Sequence, residues 1–213
     1  MVLGKILMRV APKHVKVLVG IRAFCFRSGY YRSVRSGRAV DSIGKPLPWY
    51  TYSAISYLES LDFRQKHIFE YGCGNSTLFW AIRSLSVTSC ESELAWFHEM
   101  RDKAASNCDI MYIDTEEHYV QSIHIGRIEY DVIVIDGKWR AQCAAEALRS
   151  IKPCGMIILD NSDINPNICA MLRSSGLLQV DFHGFGPVND YPWTTSVFLR
   201  EALAFQRHFR PSQ

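Results

Sequence analysis

The chain has 213 residues, of which 48% are hydrophobic and 21% charged, and its formal net charge is +3. These values are typical of one globular domain and exclude a disordered or fibrous protein. Seven scattered cysteines without a C-x-x-C pair argue against a disulfide framework or a cysteine zinc site, and they indicate reduced thiols in a cytoplasmic protein.

The first 40 residues form a strongly basic segment. They hold nine of the 24 lysines and arginines and no acid, whereas the other 15 share the rest of the chain with all 21 acids. The apolar run at 15–26 is interrupted by Arg22 and is too short to span a membrane, and no signal peptide is predicted. We therefore predict an N-terminal extension over residues 1–40, a main domain over 41–204 and a tail over 205–213.

The apolar run of this extension predicts a partly amphipathic helix. Its apolar side chains share one face, and basic side chains share another: Val17, Ile21 and Phe24 against Arg9, Lys13 and Lys16. Such a helix fits peripheral contact of residues 1–38 with an anionic membrane at its inner face, or contact with an acidic partner. The alternative is a docking helix or a partly ordered extension.

After the extension, the pattern predicts a linker and then a first helix. Residues 39–50 contain two prolines and a glycine, which is typical of a linker. Residues 51–61 have apolar side chains at helical spacing, with Thr51 or Ser53 as the N-cap.

From residue 67 onward, predicted strands and helices alternate. The predicted strands are 67–71, 86–91, 109–114, 130–136 and 155–161, and the helices are 76–85, 94–104, 140–151 and 165–176, with a helix or long loop at 116–126. Two further strands, at 177–185 and 194–200, follow each other without a helix between them. This order predicts an α/β fold with a mostly parallel sheet, helices on both faces and an antiparallel finish.

An acidic residue lies at or next to the end of each of the first five predicted strands. These residues are Glu70, Glu91, Asp114, Asp136 and Asp160. In such sheets, ligands bind beyond the carboxyl ends of the strands, so these acids are candidates for one site.

The loop after the first strand reads E-Y-G-C-G-N-S-T over residues 70–77. It lacks the third glycine of the dinucleotide fingerprint and the lysine of a P-loop, which disfavours a phosphate cradle and a nicotinamide dehydrogenase. Two glycines still allow the backbone to approach a ligand, and Glu70 suits a cationic group. Glu91 is placed to accept hydrogen bonds from a ribose. The alternative for this loop is a tight turn needed only for packing.

The motifs E-Y-G-C-G at 70–74, C-E at 90–91, V-I-D-G at 134–137 and I-I-L-D-N at 157–161 resemble those of class I S-adenosylmethionine-dependent methyltransferases. The resemblance implies a Rossmann-like seven-stranded sheet of order 3-2-1-4-5-7-6 with its last strand antiparallel. It also implies an S-adenosylmethionine site built from Glu70, Gly72, Gly74, Asn75, Glu91, Asp114 and Asp136, in which Asp114 or Thr115 reaches the adenine.

Further motifs, including P-W-Y-T-Y at 48–52, D-G-K-W-R at 136–140 and G-F-G-P at 184–187, resemble a bacterial subgroup of small methyltransferases with poorly defined substrates.

Two neighbouring strand ends also suggest a metal site. Asp136, Asp160 and Asn161 offer the oxygen ligands that Mg²⁺ prefers, in a pattern similar to that of catechol-type O-methyltransferases. A metal there would lower the pKa of an acceptor hydroxyl. Alternatively, Asp160 and Asn161 cap the next segment, and Asp136 acts alone as a general base or binds the amine of the cofactor.

Methyl transfer requires alignment and removal of one proton from the acceptor. Asp136 is the first candidate for the base and His183 the second, while Lys138 and Arg140 are candidates for binding an anionic acceptor. Alternatively, His183 has a structural role, and Lys138 and Arg140 form a solvated cluster at the strand end. Aromatic side chains predicted in loops beside the site suit a sugar or planar acceptor, or alternatively pack the linker onto the core: Tyr50, Tyr52, Trp139, Tyr191 and Trp193.

These features favour methylation of a hydroxyl on a small-molecule or carbohydrate-like acceptor. One alternative is a nucleic-acid methyltransferase that holds phosphates with its basic arm, although no N-P-P-Y-type signature is present. The other is a non-catalytic binding module that keeps the fold.

Overall fold

A computed structural model describes residues 12–126 and 129–200. Arg9, the remainder of residues 1–11, and the end of the chain from residue 201, with the predicted tail, lie outside the described residues. The helices in the described ranges are α1 (Pro12–Arg27), α2 (Tyr30–Ser36), α3 (Tyr52–Glu59), α4 (Asn75–Ala81), α5 (Leu94–Arg101), α6 (Glu116–Gln121), α7 (Arg140–Ser150) and α8 (Pro166–Ser174). Short 3₁₀ turns cover Ser122–His124 and Ser162–Ile164.

Seven strands form a single sheet. They are β1 (His67–Tyr71), β2 (Ser86–Glu91), β3 (Cys108–Tyr112), β4 (Tyr130–Ile135), β5 (Ile151–Leu159), β6 (Leu178–Gly184) and β7 (Trp193–Leu199). Their order is β3-β2-β1-β4-β5-β7-β6, and β7 is antiparallel to both of its neighbours. The predicted fold class is therefore confirmed, including the antiparallel last strand.

The sheet separates two hydrophobic cores, because successive side chains of a strand point to opposite faces. In β1, Ile68 packs in the core under α3 and α4, whereas Phe69 and Tyr71 pack in the core under α6 to α8. All six residues of β4 are buried, as expected for a central parallel strand covered on both faces.

The predicted linker over residues 39–50 is instead part of the packed domain. Ala39, Leu47 and Tyr50 are buried, and Val40 forms an isolated bridge with Pro46. The prolines and the glycine shape a tight excursion that returns to the core, which explains why a linker prediction from composition was wrong.

Among the boundaries that differ from the prediction, those of the fifth and third strands bear on strand packing and on the site. The fifth strand begins at Ile151 and includes Pro153 and Gly155, and its register with β4 is irregular next to this stretch. A Cβ on Gly155 would lie 2.9 Å from the Asp131 carbonyl oxygen, so the glycine permits close contact between the two strands. The third strand ends at Tyr112, which leaves Asp114 two residues beyond it.

Helix α2 is fixed to the domain, whereas α1 has no buried residue. Gly29 has a φ of 81°, and a Cβ there would lie 2.3 Å from the Val40 carbonyl oxygen. The buried Ser33 hydroxyl donates to that oxygen over 2.8 Å and accepts from the Val40 N–H over 3.0 Å. Within the described ranges, no helix is long and apolar enough to cross a membrane.

Candidate functional site

A cavity of about 560 Å³ lies at the carboxyl ends of the parallel strands, where the topology places a ligand site. Its lining comes from the α2–α3 connection, the β1–α4 loop with the start of α4, helix α5, the segments after β4 and β5, and the β6–β7 loop. The lining residues are Gly37, Arg38, Ala39, Trp49, Cys73, Gly74, Asn75, Ser76, Trp96, Asp136, Asp160, Asn161, Asn189 and Tyr191.

Gly72 begins the β1–α4 loop in a conformation that requires glycine. Its φ is 91°, and a Cβ would lie 3.0 Å from the backbone of Gly137, which follows β4. Gly137 is equally constrained, because its own Cβ would lie 2.1 Å from the Tyr119 hydroxyl oxygen. These two glycines therefore bring the loops after β1 and β4 together, backbone against backbone.

Gly74 serves a different purpose in the same loop. Its backbone is extended, with a φ of 177°, and a Cβ would meet nothing closer than the Ser76 hydroxyl at 3.7 Å and the Trp96 ring at 3.9 Å. Neither strain nor packing therefore demands glycine here. Because Gly74 lines the cavity, the missing side chain leaves space for a ligand to approach the backbone.

Glu70 lies beneath this loop and is completely buried. Its Oε2 accepts a 2.5 Å hydrogen bond from the Thr77 hydroxyl, which in turn accepts the Gly74 N–H over 3.0 Å. Its Oε1 has no hydrogen-bond partner of normal geometry among the described residues. Burial raises the pKa of Glu70 to about 8, so the buried carboxyl can hold a proton near neutral pH.

Glu91, at the end of β2, is held by backbone N–H groups. Its carboxylate accepts from Cys73 over 3.2 Å, from Ser92 over 2.7 Å and from Glu93 over 2.9 Å. The first of these bonds joins Glu91 to the loop that lines the cavity. Asp114, the predicted adenine contact, is exposed beyond β3 and does not itself line the cavity.

Trp96 and residues 37–39 are cavity residues that the sequence interpretation missed. Trp96, on α5, donates its indole N–H to the Cys73 carbonyl over 2.6 Å and so fixes the loop. Asn75 donates its side-chain amide to the Ala39 carbonyl over 2.7 Å, and the Arg38 guanidinium lies over the Trp96 ring at 6.0 Å while pairing with Glu99. Trp96 lies near the start of the helix that follows Glu91, and this position could have indicated a cavity residue from the sequence. No local pattern indicated that residues 37–39 would line the cavity.

Arg140 connects the acids after β4 and β5. Its guanidinium donates to Asp136 Oδ1 over 2.9 Å, to the Asp160 carbonyl over 2.6 Å and to Asn161 Oδ1 over 3.2 Å. A further bond reaches the Gly137 carbonyl over 3.0 Å. Arg140 was predicted as a contact for an anionic acceptor, but in the structure its donors are directed at the protein.

Asp160 points into the protein, where its Oδ1 accepts from the Trp193 indole over 3.0 Å and from the Thr195 hydroxyl over 2.5 Å. Burial and the neighbouring charge of Asp136 raise the pKa of Asp160. Burial also raises the pKa of Asp136, and the charge of Arg140 opposes that rise.

The predicted magnesium site at Asp136, Asp160 and Asn161 does not fit this arrangement. Arg140 already supplies a cation to Oδ1 of Asp136 and to Oδ1 of Asn161, and Oδ1 of Asp160 accepts hydrogen bonds from Trp193 and Thr195. Nor do the described residues contain a group of three or more His, Cys, Asp or Glu side chains that could hold a metal ion. The sequence showed three oxygen donors, but it could not show that an arginine four residues after Asp136 lies among them.

His183, the second candidate for the base, is placed away from the cavity. It is exposed on the edge strand β6, where its Nδ1 forms a 3.0 Å hydrogen bond with the Thr194 hydroxyl. Since His183 does not line the cavity, the structure gives no support to its predicted catalytic role, and Asp136 is the candidate that remains.

The predicted aromatic residues divide between cavity and core. Tyr191 lines the cavity together with Trp49, which had not been singled out, and both are exposed. Tyr50 and Trp193 are buried, and Gly186 packs against both, so the P-W-Y-T-Y and G-F-G-P motifs meet in the fold. Tyr52 packs edge-on against Phe24, and Trp139 against Tyr119, with no part in the lining.

No protein-family model and no curated protein matches the sequence. Solved structures do match. A precorrin-6Y C5,15-methyltransferase from Geobacter metallireducens has a TM-score of 0.53 at 14% identity, over 69% of this chain and 87% of that one. An rRNA methylase from Streptococcus thermophilus has a TM-score of 0.53 at 12% identity, over 68% and 93%. A protein from Streptococcus mutans in complex with S-adenosylhomocysteine has a TM-score of 0.51 at 10% identity, over 68% and 94%.

Together with the strand order, these likenesses show that the chain has the fold of the class I S-adenosylmethionine-dependent methyltransferases. The resemblance drawn from the sequence motifs is thereby confirmed at the level of the fold.

Proposed function

We propose that the chain binds S-adenosylmethionine and transfers its methyl group to a hydroxyl of a small, carbohydrate-like acceptor. The observation that carries this proposal is that the glycine loop of β1 and the carboxylate of Asp136 open into one cavity, walled by Trp49 and Tyr191. The fold and the S-adenosylhomocysteine complex of the Streptococcus mutans protein support the choice of cofactor.

The residues present fit this cofactor. Below the loop, Oε1 of Glu70 is buried without a hydrogen-bond partner of normal geometry among the described residues, and Gly74 leaves an open space that a Cβ would occupy. We assign Glu70, Gly72, Gly74 and Asn75 to the amino-acid part of the cofactor, and Glu91 and Asp114 to its ribose and adenine. When bound, the cofactor's sulfonium supplies the methyl group together with its own leaving group.

Asp136 is proposed to remove the proton from the acceptor hydroxyl. Its side chain is 25% exposed and lines the cavity, so an acceptor can reach it. Because burial raises its pKa, the carboxylate accepts a proton more readily than an ordinary aspartate does. Arg140 orients the carboxylate through Oδ1 and keeps it charged, which leaves Oδ2 for the acceptor.

The lining favours a neutral, polyhydroxylated acceptor. Trp49 and Tyr191 offer apolar ring faces, and Asn161 and Asn189 offer amide groups, which together suit the faces and hydroxyls of a sugar. Arg38, the cationic side chain among the described lining residues, is paired with Glu99. An anionic acceptor would therefore find little unpaired positive charge in this part of the chain.

The first test is calorimetric titration with S-adenosylhomocysteine, followed by transfer of labelled methyl groups to neutral glycosides, sugar phosphates and short RNA. We expect S-adenosylhomocysteine to bind and neutral glycosides to be methylated. Asp136→Asn should reduce turnover about 10²–10⁴-fold, and S-adenosylhomocysteine affinity much less. Asp109→Asn, at an exposed position on β3, is the matched control and should leave both unchanged.

Each rival reading has a distinct outcome in this test. Absence of S-adenosylhomocysteine binding would favour a non-catalytic module with this fold. Methylation of RNA in preference to glycosides would favour the nucleic-acid alternative. Full turnover by Asp136→Asn would remove Asp136 from the role of base.

A further inference from the structure

Helices α1 and α2 present a surface of uncovered apolar side chains. Most of the large hydrophobic residues of α1 are exposed, several by more than half: Val17 59%, Leu18 62%, Val19 60%, Ile21 56% and Phe26 54%. Tyr31 and Val34 continue this surface on α2. Phe24 packs edge-on against Tyr52 of the domain, and no residue of α1 is buried.

The same surface is positively charged and carries no acid. Residues 12–40 contain seven lysines and arginines, namely Lys13, Lys16, Arg22, Arg27, Arg32, Arg35 and Arg38. Of these seven, Arg38 forms an ion pair within the described part of the chain. The other six carry charge that no carboxylate in that part neutralises.

A groove of about 490 Å³ between α1 and α2 combines both kinds of side chain. Phe26 and Tyr31 form an aromatic wall, stacked with their ring centroids 5.3 Å apart. Arg32, Arg35 and Ser36 also line this groove. This combination suits a phosphate group attached to an apolar chain, since guanidinium groups bind phosphate and aromatic rings pack on hydrocarbon.

From these features we infer that the α1–α2 surface binds the anionic phospholipids of a membrane surface, with α1 lying in the interface. An exposed helix that carries apolar and basic side chains and no acid can place the apolar side chains among the lipid chains and the basic side chains among anionic headgroups. Nucleic acid would use the charges but leave the aliphatic side chains in water. A second copy docked on the same surface would bring the like charges of both copies together.

The test is flotation of the full chain with two kinds of vesicle, phosphatidylcholine alone and phosphatidylcholine mixed with phosphatidylglycerol. We expect flotation with the mixed vesicles, and its loss at high salt. Val17→Asp/Ile21→Asp should abolish it, while Ile82→Asp/Leu85→Asp, which changes exposed apolar residues away from α1, should not. Arg32→Ala/Arg35→Ala should weaken binding about 25-fold, at about fivefold for each basic side chain near an anionic surface.

Three results would overturn the inference: no flotation of the unaltered chain, flotation of Val17→Asp/Ile21→Asp equal to that of the unaltered chain, or equal flotation with both kinds of vesicle. Formation of a dimer that Val17→Asp/Ile21→Asp dissociates, without any flotation, would assign the surface to a second copy instead. Because α1 has no buried residue, this variant should keep the melting temperature of the unaltered chain. Flotation does not depend on S-adenosylmethionine, so it tests this inference separately from the proposed function.

Discussion

At the scale of a single residue, the proposed contact of Glu70 with the cofactor would couple cofactor binding to the ionisation of its carboxyl group. With a pKa of about 8, its carboxyl is mostly protonated at pH 7, and a cationic group placed against it would favour the ionised form. Binding of S-adenosylmethionine at pH 7 should therefore release up to about one proton. Calorimetry in two buffers of different ionisation enthalpy measures this release, and Glu70→Gln should abolish it. Proton release that Glu70→Gln leaves unchanged would show that another group titrates.

The same residue gives stability a pH dependence of known sign. The unfolded chain loses the Glu70 proton near its ordinary pKa of about 4.3, whereas the folded chain keeps it until about pH 8. Between these values the folded state binds more protons, so the free energy of unfolding should fall as pH rises, by at most about 1.4 kcal/mol per pH unit. Urea unfolding from pH 5 to 8 should show a smaller slope for Glu70→Gln, whereas Glu93→Gln, at an exposed position, should not change it.

Arg140 and Arg149 occupy the same helix but should differ in their contribution to stability. Arg140→Met leaves Asp136 without its cation and removes donors from four backbone or amide oxygens, and we expect a loss of about 3 kcal/mol. Arg149→Met, which breaks a pair whose arginine is 70% exposed, should cost less than about 1 kcal/mol. Thermal or urea unfolding measures both. Equal losses in the free energy of unfolding would show that the contacts of Arg140 contribute no more to stability than a surface ion pair does.

At the scale of elements, the two glycines of the β1–α4 loop should have different roles, Gly72 in folding and Gly74 in cofactor binding. Gly74→Ala should leave the melting temperature nearly unchanged, because its Cβ meets ordinary contacts, yet lower S-adenosylhomocysteine affinity about tenfold or more by filling ligand space. Gly72→Ala should destabilise the fold itself by about 1–3 kcal/mol, because it combines a positive φ with a 3.0 Å approach to Gly137. Calorimetry and thermal melts distinguish these effects. Unchanged affinity in Gly74→Ala would argue against a cofactor at this loop.

Elements with a strong local pattern were predictable from the sequence. The buried run of β4, the Thr51 cap of α3 and the Gly176 signal after α8 lie where the pattern placed them, because each depends on a few adjacent residues. The start of strand β5 was predicted too late, because Pro153 and Gly155 are in most contexts signals for a turn between elements. Here the close approach of β4 and β5 accommodates both residues.

The composition of the cavity wall was less predictable, because it is assembled from distant parts of the chain. The acids at the strand ends could be grouped from topology alone. The contact of Asn75 with Ala39 joins positions 36 residues apart, and that of Asp160 with Trp193 joins positions 33 apart. The magnesium and His183 predictions, which the structure does not support, share this cause, since both required knowledge of where side chains point.

At the scale of the whole molecule, α2 should unfold together with the domain. Ser33→Ala removes a buried hydroxyl that satisfies both the N–H and the carbonyl of Val40, and we expect a loss of about 1–3 kcal/mol in a single cooperative transition. Ser36→Ala, at an exposed position, is the control and should have little effect. A separate early transition, seen by calorimetry, would instead mean that α2 is an independent unit.

Residues 37–39 border the cavity and directly follow α2, which forms part of the proposed membrane surface. If a ligand in the cavity favours one position of this segment, thermodynamic reciprocity applies, and each ligand must change the affinity of the other by the same factor. Anionic vesicles and S-adenosylhomocysteine would then strengthen or weaken each other's binding equally. The hydrogen bond from the Asn75 amide to the Ala39 carbonyl would then couple attachment of the protein to a membrane with its affinity for the cofactor.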